Sequence, residues 1–173
     1  MNNKQFEEEI YRNGKVNHLE IEENVMFKYI HKYSGKLLDI GCGSGEITQK
    51  LSKDFKVIGI DFSPYAIQKT KSKGIKAICC DVDKKGLPFQ DNTFDIVWAG
   101  DIIEHLYDPI NLFKEVKRVL KPKGLYIFTT PNDFNIYMRS YILLRVTPLI
   151  QYLIGGMVFV NTILYLVGVY LNI

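Results

Sequence analysis

With 173 residues and 47% hydrophobic content, the chain is long and apolar enough for one domain with a sizeable core, which excludes a disordered protein. All 19 acidic residues and 20 of the 22 basic ones fall within the first 133, so this part is close to neutral although the formal charge of the whole is +3. That balance offers no basic stripe and excludes nucleic acid as the expected partner. Cys42, Cys79 and Cys80 are odd in number and two of them are adjacent, which fits neither a disulfide framework nor a zinc ribbon and points to reduced thiols.

The opening stretch MNNKQFEEEIYR is polar and acidic, without the apolar run of a secretory signal, so a cytoplasmic location is expected. Leu19, Ile21, Val25, Met26, Tyr29 and Ile30 then recur at helical spacing, predicting an amphipathic helix that ends near Gly35. Five short apolar runs follow, at 36–40, 56–60, 75–80, 94–99 and 124–130, each reading as a strand buried on both faces. Between them Ser63 and Pro64 suit the N-cap and first turn of a helix closed by Gly74, and Asp108 and Pro109 do the same for another. Leu112, Phe113, Val116, Val119 and Leu120 give that second helix an apolar face. Strands alternating with helices predict an α/β Rossmann-like fold, a mostly parallel sheet with helices on both faces.

The first strand runs into LLDIGCGSGEI, residues 37–47, where Asp39 precedes three glycines at alternate positions. Gly41, Gly43 and Gly45 suit a turn in which the backbone takes positive φ or meets a ligand without a Cβ between. A dinucleotide fingerprint would place its third glycine one residue later, where Glu46 stands, and both Asp39 and Glu46 would repel a diphosphate. They would accept a cofactor with positive charge, and S-adenosyl-L-methionine carries a sulfonium and an ammonium against one carboxylate. Asp61 ends the second strand 22 positions after Asp39, where a ribose-binding acid falls in such a unit. Phe62 beside it suits either the adenine face or ordinary helix–sheet packing.

The glycine stretch resembles motif I of the class I S-adenosylmethionine-dependent methyltransferases, and the order of features from 37 to 132 is similar to that family's. The resemblance implies that Asp39 organises the methionyl ammonium and that the backbone at Gly41 lies against the methionine part. It also implies that Asp81, ending the third strand, accepts the adenine amine, with the Val82 backbone near the ring. The phrases DIIEHL and LKPKGLYIFTTPN resemble small-molecule methyltransferases of the ubiquinone-biosynthesis type, which implies transfer of a methyl group to a small acceptor.

Ligands of open α/β sheets lie off the carboxyl ends of the strands, so Gly100, after the fourth strand, is expected along the methionine part. His105 is the best candidate base, because an imidazole titrates near about pH 6.5, although a helix histidine bonded to a nearby carbonyl is the slightly favoured reading. Asp101, Glu104 and His105 stand at i, i+3 and i+4, so a helix beginning there would put them on one face. Some relatives hold a divalent metal with a similar pattern, but no further metal histidine follows here and no metal is assigned.

The tail departs from the family's pattern. Residues 134–173 contain two charges, Arg139 and Arg145, and the 28 residues from Val146 contain none. Three readings stand for this tail: a membrane anchor, since roughly 20 apolar residues cross a bilayer; a hairpin closing the sheet, turning at Asn161 and Thr162; or an altered relative without its acceptor pocket. The expected division is a cofactor-binding domain at 1–133 and this apolar segment at 134–173. A binding module without turnover is the alternative to an enzyme.

Overall fold

The computed structural model describes residues 26–27, 29–131, 157–161 and 165–171. Leu19, Ile21 and Val25 of the expected first helix, the arginines Arg139 and Arg145, and Thr162 lie outside the described residues. Residues 26–27 and 29–30 are helical, and Met26 and Ile30 are buried.

From there the chain alternates. β1 (Lys36–Ile40) leads through the glycine loop to α1 (Glu46–Leu51), β2 (Lys56–Asp61) to α2 (Pro64–Ser72), and β3 (Lys76–Cys79) to the short α3 (Val82–Lys85). β4 (Phe94–Ala99) leads through a 3-10 turn at Ile103–His105 to α4 (Pro109–Val119), and β5 (Leu120–Pro131) precedes β6 (Met157–Asn161) and β7 (Tyr165–Leu171). The seven strands form one sheet in the order β3-β2-β1-β4-β5-β7-β6, with β1 to β5 parallel and β7 antiparallel to both its neighbours.

Why the central strands read as unbroken apolar runs is plain from their two covered faces. Leu38, Ile40, Val97, Ala99, Tyr126 and Phe128 bury one face together with Leu112, Phe113, Val116 and Val119 of α4. Their neighbours Leu37, Ile96, Trp98, Leu125 and Ile127 bury the other with Met26, Ile30 and Leu51. Helices therefore cover both faces. The expected caps form as well: Ser63 Oγ accepts from the Ala66 N–H at 3.3 Å, and Asp108 Oδ1 accepts from the Asn111 N–H at 3.0 Å.

Two expectations change. Leu120, expected on the helix face, begins β5, because it pairs with Phe94 before an irregularity that includes Lys123 at φ 63°. The run 157–171, open to three readings from sequence, holds a β6–β7 ladder whose inner strand pairs with β5 from Leu125↔Leu171 to Pro131↔Tyr165. Among the described residues no helix is long and apolar enough to cross a membrane.

Phe113 makes edge-on contacts with the rings of Tyr126, centroids 5.6 Å apart, and Phe128, at 5.3 Å, fastening α4 to β5. Replacing it with alanine opens a cavity at this junction, and urea unfolding should show a loss of about 3–5 kcal/mol.

Candidate functional site

Strand order reverses between β1 and β4, and the crevice off their carboxyl ends is where an open α/β sheet binds ligands. The glycine loop occupies this place. The N–H groups of Gly41 and Cys42 both donate to the Ile60 carbonyl, at 2.8 and 3.0 Å, and strap the loop to β2. Gly43 is held twice more: its N–H donates to Asp61 Oδ2 at 3.0 Å, and its carbonyl accepts from Thr70 Oγ1 of α2 at 2.8 Å.

Two of the glycines show why no side chain serves here. Gly41 has φ 75°, and a Cβ there would collide with the side chain of Ile102. Gly43 has φ 51°, and its Cβ direction is open, with no atom within 4 Å, so a ligand can come directly against the backbone. Gly45, at φ 83°, forms the left-handed entry to α1.

Asp39 lies at the bottom of this crevice, 2% exposed, and accepts from Thr48 Oγ1 of α1 at 2.7 Å. Burial pushes its carboxyl up to about 7; the Thr48 hydroxyl opposes this, and the nearby Asp61 charge adds to it. Thr48 carried no signal in the sequence, being one of several polar residues in the short helix EITQKL. Glu46 accepts from Ser44 Oγ and pairs with Lys73 at 3.4 Å, so its charge is balanced locally and Asp39 is the acid that faces the question of a ligand's charge.

Asp61 accepts from the Ser63 N–H at 2.8 Å as well as from Gly43, each through a different oxygen. It is thus a brace of the loop and also a carboxylate with lone pairs left over. Phe62 is 76% exposed, so ordinary helix–sheet packing does not account for it. One strand over, Asp81 caps α3 through the Asp83 N–H at 3.2 Å, and its bond to Lys84 holds its carboxyl below the usual range. Val82 begins α3 and packs at the margin of the core.

After β4 the chain bends at Gly100, and Asp101 takes φ 48°, a left-handed conformation that few side chains adopt. Its N–H donates to the carbonyl and hydroxyl of the buried Thr129, at 3.2 and 3.3 Å. The expected helical face is therefore not formed: Asp101 lies outside the turn, while Glu104 and His105 are consecutive in a single 3-10 turn. Glu104 accepts from Thr130 Oγ1 at 3.1 Å, and partial burial pushes its carboxyl up. The His105 backbone N–H donates to the Ile102 carbonyl at 3.0 Å, and the residue is exposed. Among the described residues no group of three or more acids, histidines or cysteines is arranged to hold a metal ion.

Residues 38–128 match the methyltransferase domain family. The chain belongs to that family. A 27-O-demethylrifamycin SV methyltransferase of Amycolatopsis mediterranei is 35% identical over 51% of this chain and 36% of its own length. The ubiquinone/menaquinone biosynthesis C-methyltransferase UbiE of Desulfotalea psychrophila is 36% identical over 60% of the chain and 45% of its own. The chain thus spans less than half the length of these curated relatives. In fold it is similar to the N-methyltransferase NodS of Bradyrhizobium japonicum, solved with S-adenosyl-L-homocysteine, with a TM-score of 0.69, 18% identity, and 94% and 91% of the two chains covered.

The cofactor of this methyltransferase domain is S-adenosyl-L-methionine. The residues present fit it: an open backbone cradle at Gly43, a buried carboxylate at Asp39 suited to a cation, and a strand-end carboxylate at Asp61 suited to hydroxyls.

The raised Asp39 makes a prediction for the empty domain. An acid whose folded pKa exceeds its unfolded value binds more protons when folded, so stability falls as pH rises between the two values. Unfolding free energy should drop from pH 4 to pH 7 by up to about 4 kcal/mol through this group. In Asp39→Asn, compared by urea unfolding across that range, this component of the slope should be missing.

Proposed function

We propose that the chain transfers a methyl group from S-adenosylmethionine to a small, lipophilic acceptor. The observation that carries this reading is the glycine loop at the strand-order reversal, open at Gly43 and flanked by Asp39 and Asp61. When bound, the cofactor supplies a methyl carbon on a positively charged sulfur, already activated for in-line displacement. The task left to the protein is then chiefly to position two reactants and exclude water.

In this reading Asp39 balances the methionyl ammonium and Gly41, Gly45 and Gly100 lie along the methionine part. The ribose hydroxyls donate to the free lone pairs of Asp61. The ring of Phe62 covers adenine, while Asp81 accepts the exocyclic amine beside the Val82 backbone. The exposure of Phe62 supports its part, since a ring left uncovered by the fold is free for a planar ligand. His105 accepts the acceptor's proton where one must leave, and its place on the short turn off β4 supports that role.

Names of relatives that refer to quinone biosynthesis and to a rifamycin support a small organic acceptor, and the charge-free 146–173 stretch supports a lipophilic one. We take residues 1–133 as the cofactor-binding part and β6 and β7 as a continuation of its sheet; the β5–β7 register supports this over an anchor. The free thiols Cys42, Cys79 and Cys80 support a reducing, cytoplasmic setting.

Calorimetric titration with S-adenosylhomocysteine tests the reading. A cation placed beside Asp39 lowers its pKa, so binding at pH 6 should release up to about one proton, seen by comparing buffers of different ionisation enthalpy. Asp39→Asn should release none. Asp61→Ala should weaken binding by about 1–3 kcal/mol while the protein stays folded. No binding by the folded wild-type chain would end the proposal.

A further inference from the structure

The loop between β4 and α4, which carries Glu104 and His105, is fixed at its two ends by different elements. At its start the Asp101 N–H meets Thr129, and Glu104 accepts from Thr130, both residues of β5. At its far end the N–H groups of Tyr107 and Asp108 donate to Asp83, to Oδ2 at 3.1 Å and to Oδ1 at 3.3 Å.

Asp83 comes from outside this loop, 24 and 25 residues earlier in the chain. It stands in the first turn of α3, where its own N–H donates to Asp81. One carboxylate, with both oxygens engaged, spans from the turn that follows β3 to the loop that follows β4.

Leu106 packs against the core, but the next residue, Tyr107, is 98% exposed. Beyond Leu106 the backbone is held by the pair of bonds to Asp83, a charged acceptor, and such bonds are stronger than neutral ones. They also set the entry of α4, since Asp108, whose N–H they engage, is its N-cap.

We infer that Asp83 is a positioning residue for methyl transfer: it ties the turn assigned to adenine to the loop that carries His105, so that filling the first sets the place of the second. The inference rests on the methyltransferase reading. It does not need Asp83 to touch either ligand.

The test uses the full chain, S-adenosylhomocysteine as probe, and nuclear magnetic resonance, with His105→Gln identifying the His105 ring signal. In the wild type the probe should move that signal and slow exchange of the Tyr107 and Asp108 amides. In Asp83→Ala the probe should still bind, the two amides should exchange about tenfold faster, and the His105 response should shrink. Asp83→Asn keeps one acceptor oxygen and should recover part of the response, which a loss of general stability would not explain. A full His105 response in the folded alanine variant would overturn the inference. Should that variant not fold, Asp83→Asn takes its place: a diminished response is expected, and an undiminished one overturns the inference. Failure of the wild type to bind the probe would defeat the methyltransferase reading instead.

Discussion

The Asp61 carboxylate is the constraint on which the rest of the site depends. A loop with three glycines within five residues has little conformational preference of its own, and glycine loses more entropy on ordering than any other residue. Its shape is therefore imposed from the neighbouring strand. Asp61 accepts from the Gly43 and Ser63 N–H groups, the Ile60 carbonyl takes those of Gly41 and Cys42, and Thr70 closes the loop from α2. The parallel β1–β2 register, which sets Ile40 opposite Ile60, brings the ends of the two strands to the same level, so that Ile60 and Asp61 meet the loop.

Three strand-end acids then differ because their surroundings differ. Asp39 is dry and raised, with one hydroxyl for company; Asp61 is partly buried and satisfied by backbone; Asp81 is partly exposed and lowered by Lys84. The crevice is thus graded, from a desolvated end under β1 to a wet end at the sheet margin by β3. Charge recognition is strongest where water is excluded, and this supports the proposal that the cofactor's ammonium sits at the first end and its adenine at the second. Phe62, left uncovered, stands toward the second.

Much of this was legible in the sequence because it is encoded locally. The strands at 36–40 and 94–99 stand where their apolar runs put them, and Ser63 and Asp108 cap the helices that their neighbouring prolines announce. What escaped depended on distant partners or on elements too short for periodicity. α3 has four residues, and Asp83 acquires its significance only from two N–H groups far along the chain. The acid-x-x-Glu-His spacing suggested one helical face, but Thr129 draws the Asp101 backbone into a left-handed turn, and the spacing no longer means proximity on a helix. Apolar runs such as those of β6 and β7 carry no period that tells a strand from other apolar segments; their pairing with β5 and with each other is visible only in the fold.

Trp98, the single tryptophan of the chain, stands on β4 as the register partner of Asp39 and is 1% exposed. A strand position paired with the buried acid is therefore also the one place with an indole. Its emission comes from one known site at the floor of the crevice, without the averaging that several fluorophores would bring. The molecule carries an intrinsic optical reporter, and changes of charge or hydration on the neighbouring strand can be followed by light, in unlabelled protein and in real time.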